Sequence, residues 1–227
     1  MWSVLPQMLA KNPIVDELSR RLVRLRLNSL LPHVLTILRM TVTLGGIDLL
    51  VLNAGISMAE RVINLKEDTD SIRKIFETNV FGCMYLTAYA LPHLLSGRIC
   101  VISSLLGLVA GPSRSVYASS KFALKGFFDS LRAEHPEIPI TLCYPGFVKT
   151  DINRTRLGSE TVDFSKANAM SVSEATDIIQ LAVRDAVSDE VFTFTGKFLF
   201  WARDWVPEIR DLMLRRNLER AQQKKTE

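Results

Sequence analysis

The sequence predicts a doubly wound α/β domain on a parallel sheet. Short apolar runs that end in turn residues alternate with stretches of helical period, and the runs are too uniformly apolar for strands with one wet face. Residues 47–52 (Ile-Asp-Leu-Leu-Val-Leu) lead into Asn53-Ala54-Gly55 and predict a first strand buried on both faces. Residues 68–78 and 79–95 carry helical patterning, the second stretch ending near Pro92 and Gly97. Residues 99–103 predict a second buried strand, 115–134 a helix, and 140–143 a third strand stopped by Pro145-Gly146. Ser171 and Glu174 have capping-box spacing for a helix running to Ala186, and 191–194 predict a fourth strand. Strands joined through helices imply right-handed crossovers.

Organisation and composition narrow the function modestly. With 227 residues, 48% apolar and 23% charged, the chain can bury one sizeable core. One domain is expected over 45–206, preceded by an irregular or amphipathic segment, 1–44, and followed by a C-terminal helix and tail, 207–227. The net charge of +4 lies entirely in residues 1–46, where Lys11, Arg20, Arg21, Arg24, Arg26 and Arg39 face only Asp16 and Glu17. The rest is neutral on balance, which argues against a nucleic-acid-binding body. Leu18, Leu22 and Leu25 among those arginines predict either a surface helix packed on the core, the commoner use of such a stripe, or a helix lying on a membrane surface. No run is long enough for a membrane span, and none resembles a secretory signal, so a cytoplasmic or cytosol-facing location is expected. Cys83, Cys100 and Cys143 are far apart and in apolar surroundings, predicting buried reduced thiols. His33, His93 and His135 lack ligand-spaced partners, so no metal is expected.

The chemistry-bearing residues gather where a doubly wound sheet places its ligands, beyond the carboxyl ends of the strands. Asn53-Ala54-Gly55 follows the first strand, Ser103-Ser104 the second, and Pro145-Gly146 the third. Tyr117 and Lys121 are four apart on a predicted helix and share a face. An ammonium beside a phenol favours the phenolate, as proton exchange near neutral pH requires. Lowering a tyrosine from about 10 to about 7 takes roughly 4 kcal/mol, more than one exposed charge supplies. The pair alone is weak evidence, since four tyrosines and ten lysines would give this spacing by chance about one time in six.

The ensemble is far more specific. Asn-Ala-Gly, the Asn79 of Asn-Val-Phe-Gly, a Ser thirteen residues before Tyr117, Tyr-x-x-x-Lys and Pro-Gly together resemble the short-chain dehydrogenase/reductase family over about residues 45–200. The stretch from Tyr117 to Phe128 is most similar to its hydroxysteroid-dehydrogenase-like branch. The resemblance implies a Rossmann-like fold and NAD(P)-dependent hydride transfer between the cofactor and an alcohol or ketone, lipid- or steroid-like compounds included. It implies Tyr117 as catalytic acid/base, Lys121 as its tuner and a ligand of the nicotinamide ribose, Ser104 as orienter of the carbonyl, and Asn79, opening its helix, as holder of a relay water. Asn53, Ala54 and Gly55 would line the cofactor cleft, with Pro145, Gly146 and Thr150 at its nicotinamide end. Ser103 reads as strand-end structure. A homo-oligomer through the helices of Asn79 and Tyr117 is also implied.

One departure matters. The family begins with a strand, a Gly-x-x-x-Gly-x-Gly turn and a helix whose N-terminus holds the diphosphate; the first glycine here is Gly45. Residues 20–40 could retain a later helix and strand of that half, or one continued helix. Two further function classes therefore stand beside the enzyme. One is a catalytically inactive interaction protein that dimerises. The other is a membrane-peripheral protein using the basic N-terminal helix and Phe198, Leu199, Phe200, Trp201, Trp205 and Val206, residues read first as a lid or dimer contact buried in the fold. The 47–52 strand is expected at a bare sheet edge. Losing about three charge-assisted hydrogen bonds, at roughly 1.5 to 3 kcal/mol each, weakens cofactor binding by three decades or more. Calorimetric titration of the 227-residue chain with NADH or NADPH should give a Kd near millimolar or weaker, and micromolar binding would refute the argument.

Overall fold

The structure, a computed structural model, describes residues 46–205 apart from 95, 154–155 and 161–168. The expected N-terminal amphipathic helix and the tail beyond 206 lie outside the described residues. Among those described, four strands form one parallel sheet in the order β1 (Leu49–Leu52), β2 (Arg98–Ile102), β3 (Ile140–Tyr144), β4 (Asp189–Val191). Val51 pairs with Cys100, Cys100 with Thr141, and Cys143 with Glu190. Between them run α1 (Thr69–Phe76) and α2 (Gly82–Ala90), then α3 (Ser115–Glu134) and α4 (Val172–Arg184), with α5 (Phe194–Trp205) after β4.

The period-2 geometry of the strands assigns the two faces. Leu52, Ile99, Val101, Ile140, Leu142 and Tyr144 pack with Cys83 of α2 and with Leu124, Phe128 and Leu131 of α3 in the main core. Cys100, Arg98, Leu49 and Val51 face the other way, toward Ile179 and Val183 of α4, across a cleft of about 430 Å³. Helices cover both faces, which makes the sheet doubly wound. The cover is uneven: β3 is buried at every residue, while Leu49 is 46% and Val51 50% exposed. The first strand is therefore not buried on both faces as its composition suggests; only Leu50 and Leu52 turn toward the core, and β1 forms the sheet edge among the described residues.

Local chemistry sets the boundaries elsewhere. The capping box forms, with the Ser171 hydroxyl accepting from Glu174 N and the Glu174 carboxylate accepting from Ser171 N, so α4 starts where expected. It ends at Arg184, two residues short of the expected end. Ala186 takes a left-handed φ of 53°, and Val187 N donates to Ala182 O, closing a Schellman-type end. The fourth strand stops at Val191 instead of Phe194, because the Thr193 hydroxyl accepts from Gly196 N and opens α5. Of the aromatic segment expected to be buried, Phe198, Trp201 and Trp205 on α5 are exposed, and Phe200 leans on the core. A break at Asn79 is not found either. Helical structure runs without interruption from α1 through a π-helical turn (Glu77–Phe81) into α2, since one wide turn accommodates the extra residue that shifts the apolar stripe. The three cysteines are buried and unpaired, as expected.

Arg98 ties the sheet to α4: its Nη1 donates to the carbonyls of Val183 and Arg184 at 2.5 and 2.8 Å, on the negative end of the helix. Replacing it by Met should lower stability by about 1 to 3 kcal/mol in a denaturant titration. Ala186→Gly should do the reverse, raising stability by about 1 kcal/mol, because glycine reaches that left-handed conformation without the Cβ clash.

Candidate active site

The site is built where β1 and β2 end and α3 begins. β1 delivers Asn53, Ala54 and Gly55, the first two exposed, into an extended segment that descends to fully buried Ser57, Met58 and Ala59. β2 ends at Ser103, and Ser104 caps the following turn (Leu105–Gly107) by accepting from Leu106 N at 3.2 Å. That turn lies against α3 so closely that a Cβ on Gly107 would meet Ser103 Oγ at 2.7 Å and Lys121 Cβ at 3.1 Å. The glycine allows the approach that brings the Ser104 hydroxyl toward Tyr117, where it favours the ionised phenol. Ser103 is buried at the strand end, with no hydrogen-bond partner for its hydroxyl among the described residues, so the two adjacent serines occupy different environments.

Tyr117 lies in the first turn of α3, 6% exposed, in a small cluster with Met58, Ile75 and Val116. Burial pushes its phenol above the ordinary tyrosine range, opposed by the Arg114 guanidinium and the Ser104 hydroxyl. The phenol is therefore held protonated in the free chain. Lys121, one turn on, is buried too; its Nζ donates to Ile102 O at 3.0 Å and stands 5.9 Å from the Tyr117 ring centre. Desolvation pushes the ammonium down to about 8. A Cβ on Gly55 would lie 3.6 Å from that Nζ and 3.5 Å from Asn79 Oδ1, so Gly55, Lys121 and Asn79 meet at one point.

Asn79 is fully buried in the π turn. Its Oδ1 accepts from Ile56 N at 2.8 Å, and its Nδ2 donates to Ile56 O at 3.0 Å and to Ser120 Oγ at 3.1 Å. Ser120 in turn donates to Tyr117 O at 2.7 Å. The amide thus clamps the loop after β1 to the start of α3. It neither caps nor opens a helix. Across the sheet, Pro145 O accepts from Leu105 N at 2.9 Å, which fixes Pro145-Gly146 beside the Ser104 turn, while Thr150 is exposed farther along the loop.

Three contributors were not singled out from the sequence. Ser120 looked like an ordinary helix serine inside Tyr-Ala-Ser-Ser-Lys. Glu60, buried, is held down at about 2 by hydrogen bonds from Ser159 N, the Ser159 hydroxyl and Asn64 Nδ2. It anchors the loop between β3 and α4, whose backbone pairs with the 57–60 segment through Met58 and Leu157. Gly158 permits that pairing: its φ is +87°, and a Cβ there would meet Ala59 O at 2.3 Å. Arg114 is the third, its guanidinium lying over the Tyr117 ring.

The family model for short chain dehydrogenases matches residues 34–160. The chain belongs to the short-chain dehydrogenase family. Among curated relatives, dehydrogenase/reductase SDR family member 7B of Bos taurus is 38% identical over 136 residues, covering 58% of this chain and 40% of its own. The 11-beta-hydroxysteroid dehydrogenase-like 4A of Arabidopsis thaliana is 32% identical over 171 residues, covering 73% and 56%. The chain thus spans roughly half the length of the relatives it matches. Two solved structures share the fold: a short-chain dehydrogenase from Streptomyces avermitilis, TM-score 0.66 at 21% identity over 83% of this chain and 76% of its own, and one from Burkholderia cenocepacia in complex with NADP, TM-score 0.68 at 22% identity over 80% and 76%.

In this member of the short-chain dehydrogenase family the buried lysine has a thermodynamic signature. Its folded-state value near 8 lies below the ordinary 10.5, so between those values the unfolded chain holds the proton longer and stability rises with pH. At pH 7 the whole desolvation penalty is present, on the order of 3 kcal/mol at most. Lys121→Met should be more stable than wild type at pH 7 by about 1 to 3 kcal/mol, the gap closing as pH rises to 10. Urea titrations at both pH values test this; a gap independent of pH would contradict it.

Proposed function

We propose that this chain carries the proton-transfer half of an NAD(P)-dependent carbonyl/alcohol oxidoreductase, working best in the direction of carbonyl reduction. One observation supports this most: a protonated, buried Tyr117 that feels the Ser104 hydroxyl and has a buried ammonium one helical turn away. A carbonyl oxygen placed between the two hydroxyls would accept a hydrogen bond from Ser104 and the proton from Tyr117. Lys121 then stabilises the phenolate left behind, its Nζ held toward the site by Ile102 O. The ammonium has three donors, and those not spent on Ile102 are available to ribose hydroxyls.

The residues present suit the nicotinamide end of a cofactor. Gly55 brings the loop after β1 beside Lys121 Nζ, and the exposed Asn53 and Ala54, with Pro145 and Gly146, rim the same sheet end. Bound there, NAD(P) supplies or takes the hydride. Asn79, with its amide committed to Ile56 and Ser120, acts in this reading by fixing the frame, and any relay water would use other atoms. Substrates would be small alcohols or ketones shaped by the loop that Glu60 anchors, in keeping with relatives whose names denote hydroxysteroid dehydrogenases. A second reading, an interaction protein that dimerises, is favoured by Phe81 beside α2 and Phe122 on α3, both exposed, and by the exposed aromatics of α5.

Carbonyl reduction measured at saturating NADPH should drop by about a thousandfold or more in Tyr117→Phe with the fold intact, because the phenol alone carries the exchangeable proton. Ser104→Ala should cost about a hundredfold and Ser103→Ala little. Equal losses for the two serines would overturn the roles. A folded wild type that is inactive at every cofactor concentration and sediments as a dimer would favour the second reading.

A further inference from the structure

Arg114 is a costly residue for its place. The Nε and Nη1 atoms of its guanidinium are shielded from water without hydrogen-bond partners among the described residues, and its Nη2 donates to the Ser57 hydroxyl at 2.9 Å. Arg156, on the loop after β3, adds like-charge repulsion, and burial disfavours the cation further. A buried guanidinium with one hydrogen bond and a cationic neighbour is a poor stabilising device. Its other contact is with the Tyr117 ring, 4.7 Å from guanidinium carbon to ring centre, closer than Lys121 Nζ at 5.9 Å. Ser57 is 1% exposed and keeps the group there.

We propose that Arg114 is a second positioning cation for Tyr117, a guanidinium fixed over the ring by Ser57 that supplies the positive potential a buried phenolate needs. This rests on the reading of Tyr117 as the proton donor and adds a residue to it. The charged and polar groups around the phenol are Arg114 at the N-cap of α3, Lys121 on α3 and the Ser104 hydroxyl from the turn after β2; Arg156 acts on Arg114, and Cys83 of α2 on Lys121. The two cations differ in permanence. Lys121 loses its charge as pH rises through about 8, where a guanidinium remains fully charged. Above that pH the phenolate depends on Arg114.

The experiment needs neither cofactor nor substrate, so it stands apart from any failure of catalysis. The four tyrosines are labelled with carbon-13 at Cζ, the Tyr117 resonance is assigned by its loss in Tyr117→Phe, and its midpoint is followed by NMR in wild type and variants. Arg114→Gln should raise the midpoint by about one to two pH units, the size expected for a unit charge about 6 Å away at an effective dielectric near 20. Arg114→Lys, which keeps the charge but not the planar contact, should give a smaller rise. Ser57→Ala, which frees the guanidinium, should also raise it and serves as the test if Arg114→Gln does not fold. A Tyr117 midpoint unmoved in Arg114→Gln, or unmoved in Ser57→Ala where that variant is the test, overturns the proposal.

Discussion

An ammonium taken out of water is the constraint around which the centre of this fold is arranged. Lys121 is buried to 4% exposure with Ile102 O as its hydrogen-bond acceptor, and burial alone pulls its ionisation down to about 8. A single neutral carbonyl does not offset the desolvation of a cation. The position is destabilising, and the surroundings show what it takes to hold it. Gly107 lets the turn after β2 close against the lysine's Cβ, Gly55 brings the loop after β1 to its Nζ, and α3 carries it from a helix whose next turns are anchored in the main core by Leu124 and Phe128. The sheet and α3 supply the stability, and the buried lysine consumes some of it.

The second constraint is the Asn79 clamp. Satisfying both polar ends of a buried amide requires a donor and acceptors already in place, and Ile56 provides N–H and C=O while Ser120 provides a hydroxyl. The π turn presents that amide toward the β1 loop in mid-helix. Through Ser120 the clamp reaches Tyr117 O, so the reactive phenol is fixed from its own backbone to β1 without any bond to the phenol itself. Geometry is set by neutral hydrogen bonds and ionisation by charges, and the two are carried by different side chains.

This division explains what could be read from sequence. Strands β2 and β3, the limits of α3 and the capping box of α4 follow from local patterns, because apolar runs, helical period and Ser-x-x-Glu spacing act over a few residues. Tyr117, Lys121 and Ser104 were legible through their fixed spacing. The exposure of Leu49 and Val51 was not, since a strand's composition does not say which neighbours cover it. Asn79 as a mid-helix clamp, Glu60 as an anchor for residues 99 positions away, and Arg114 over Tyr117 all depend on contacts between distant segments or on side-chain direction. None leaves a periodic trace. Gly158, unremarkable in sequence, is required only because Ala59 O passes beside it.

The hydrogen bonds that fix Tyr117 and Lys121 run among Ile56, Asn79, Ile102, Tyr117, Ser120 and Lys121, and the loop anchor joins Glu60 to Ser159. Every one of these residues lies at or beyond the end of β1. The diphosphate of a dinucleotide is held in this family by a glycine turn and helix that precede that strand. On the proposed reading, positioning of the acid and affinity for the cofactor's phosphates are therefore separable: one is set by the clamp, the buried lysine and the loop anchor, the other by a segment that shares none of those bonds. A change that weakens cofactor binding at the phosphate end leaves Tyr117 protonated, hydrogen-bonded and in place. A change at Asn79 or Ser120 does the opposite, loosening the acid while the cofactor's phosphate contacts stay as they were. Activity lost for either reason looks the same in a rate assay, and the ionisation of Tyr117 tells the two apart.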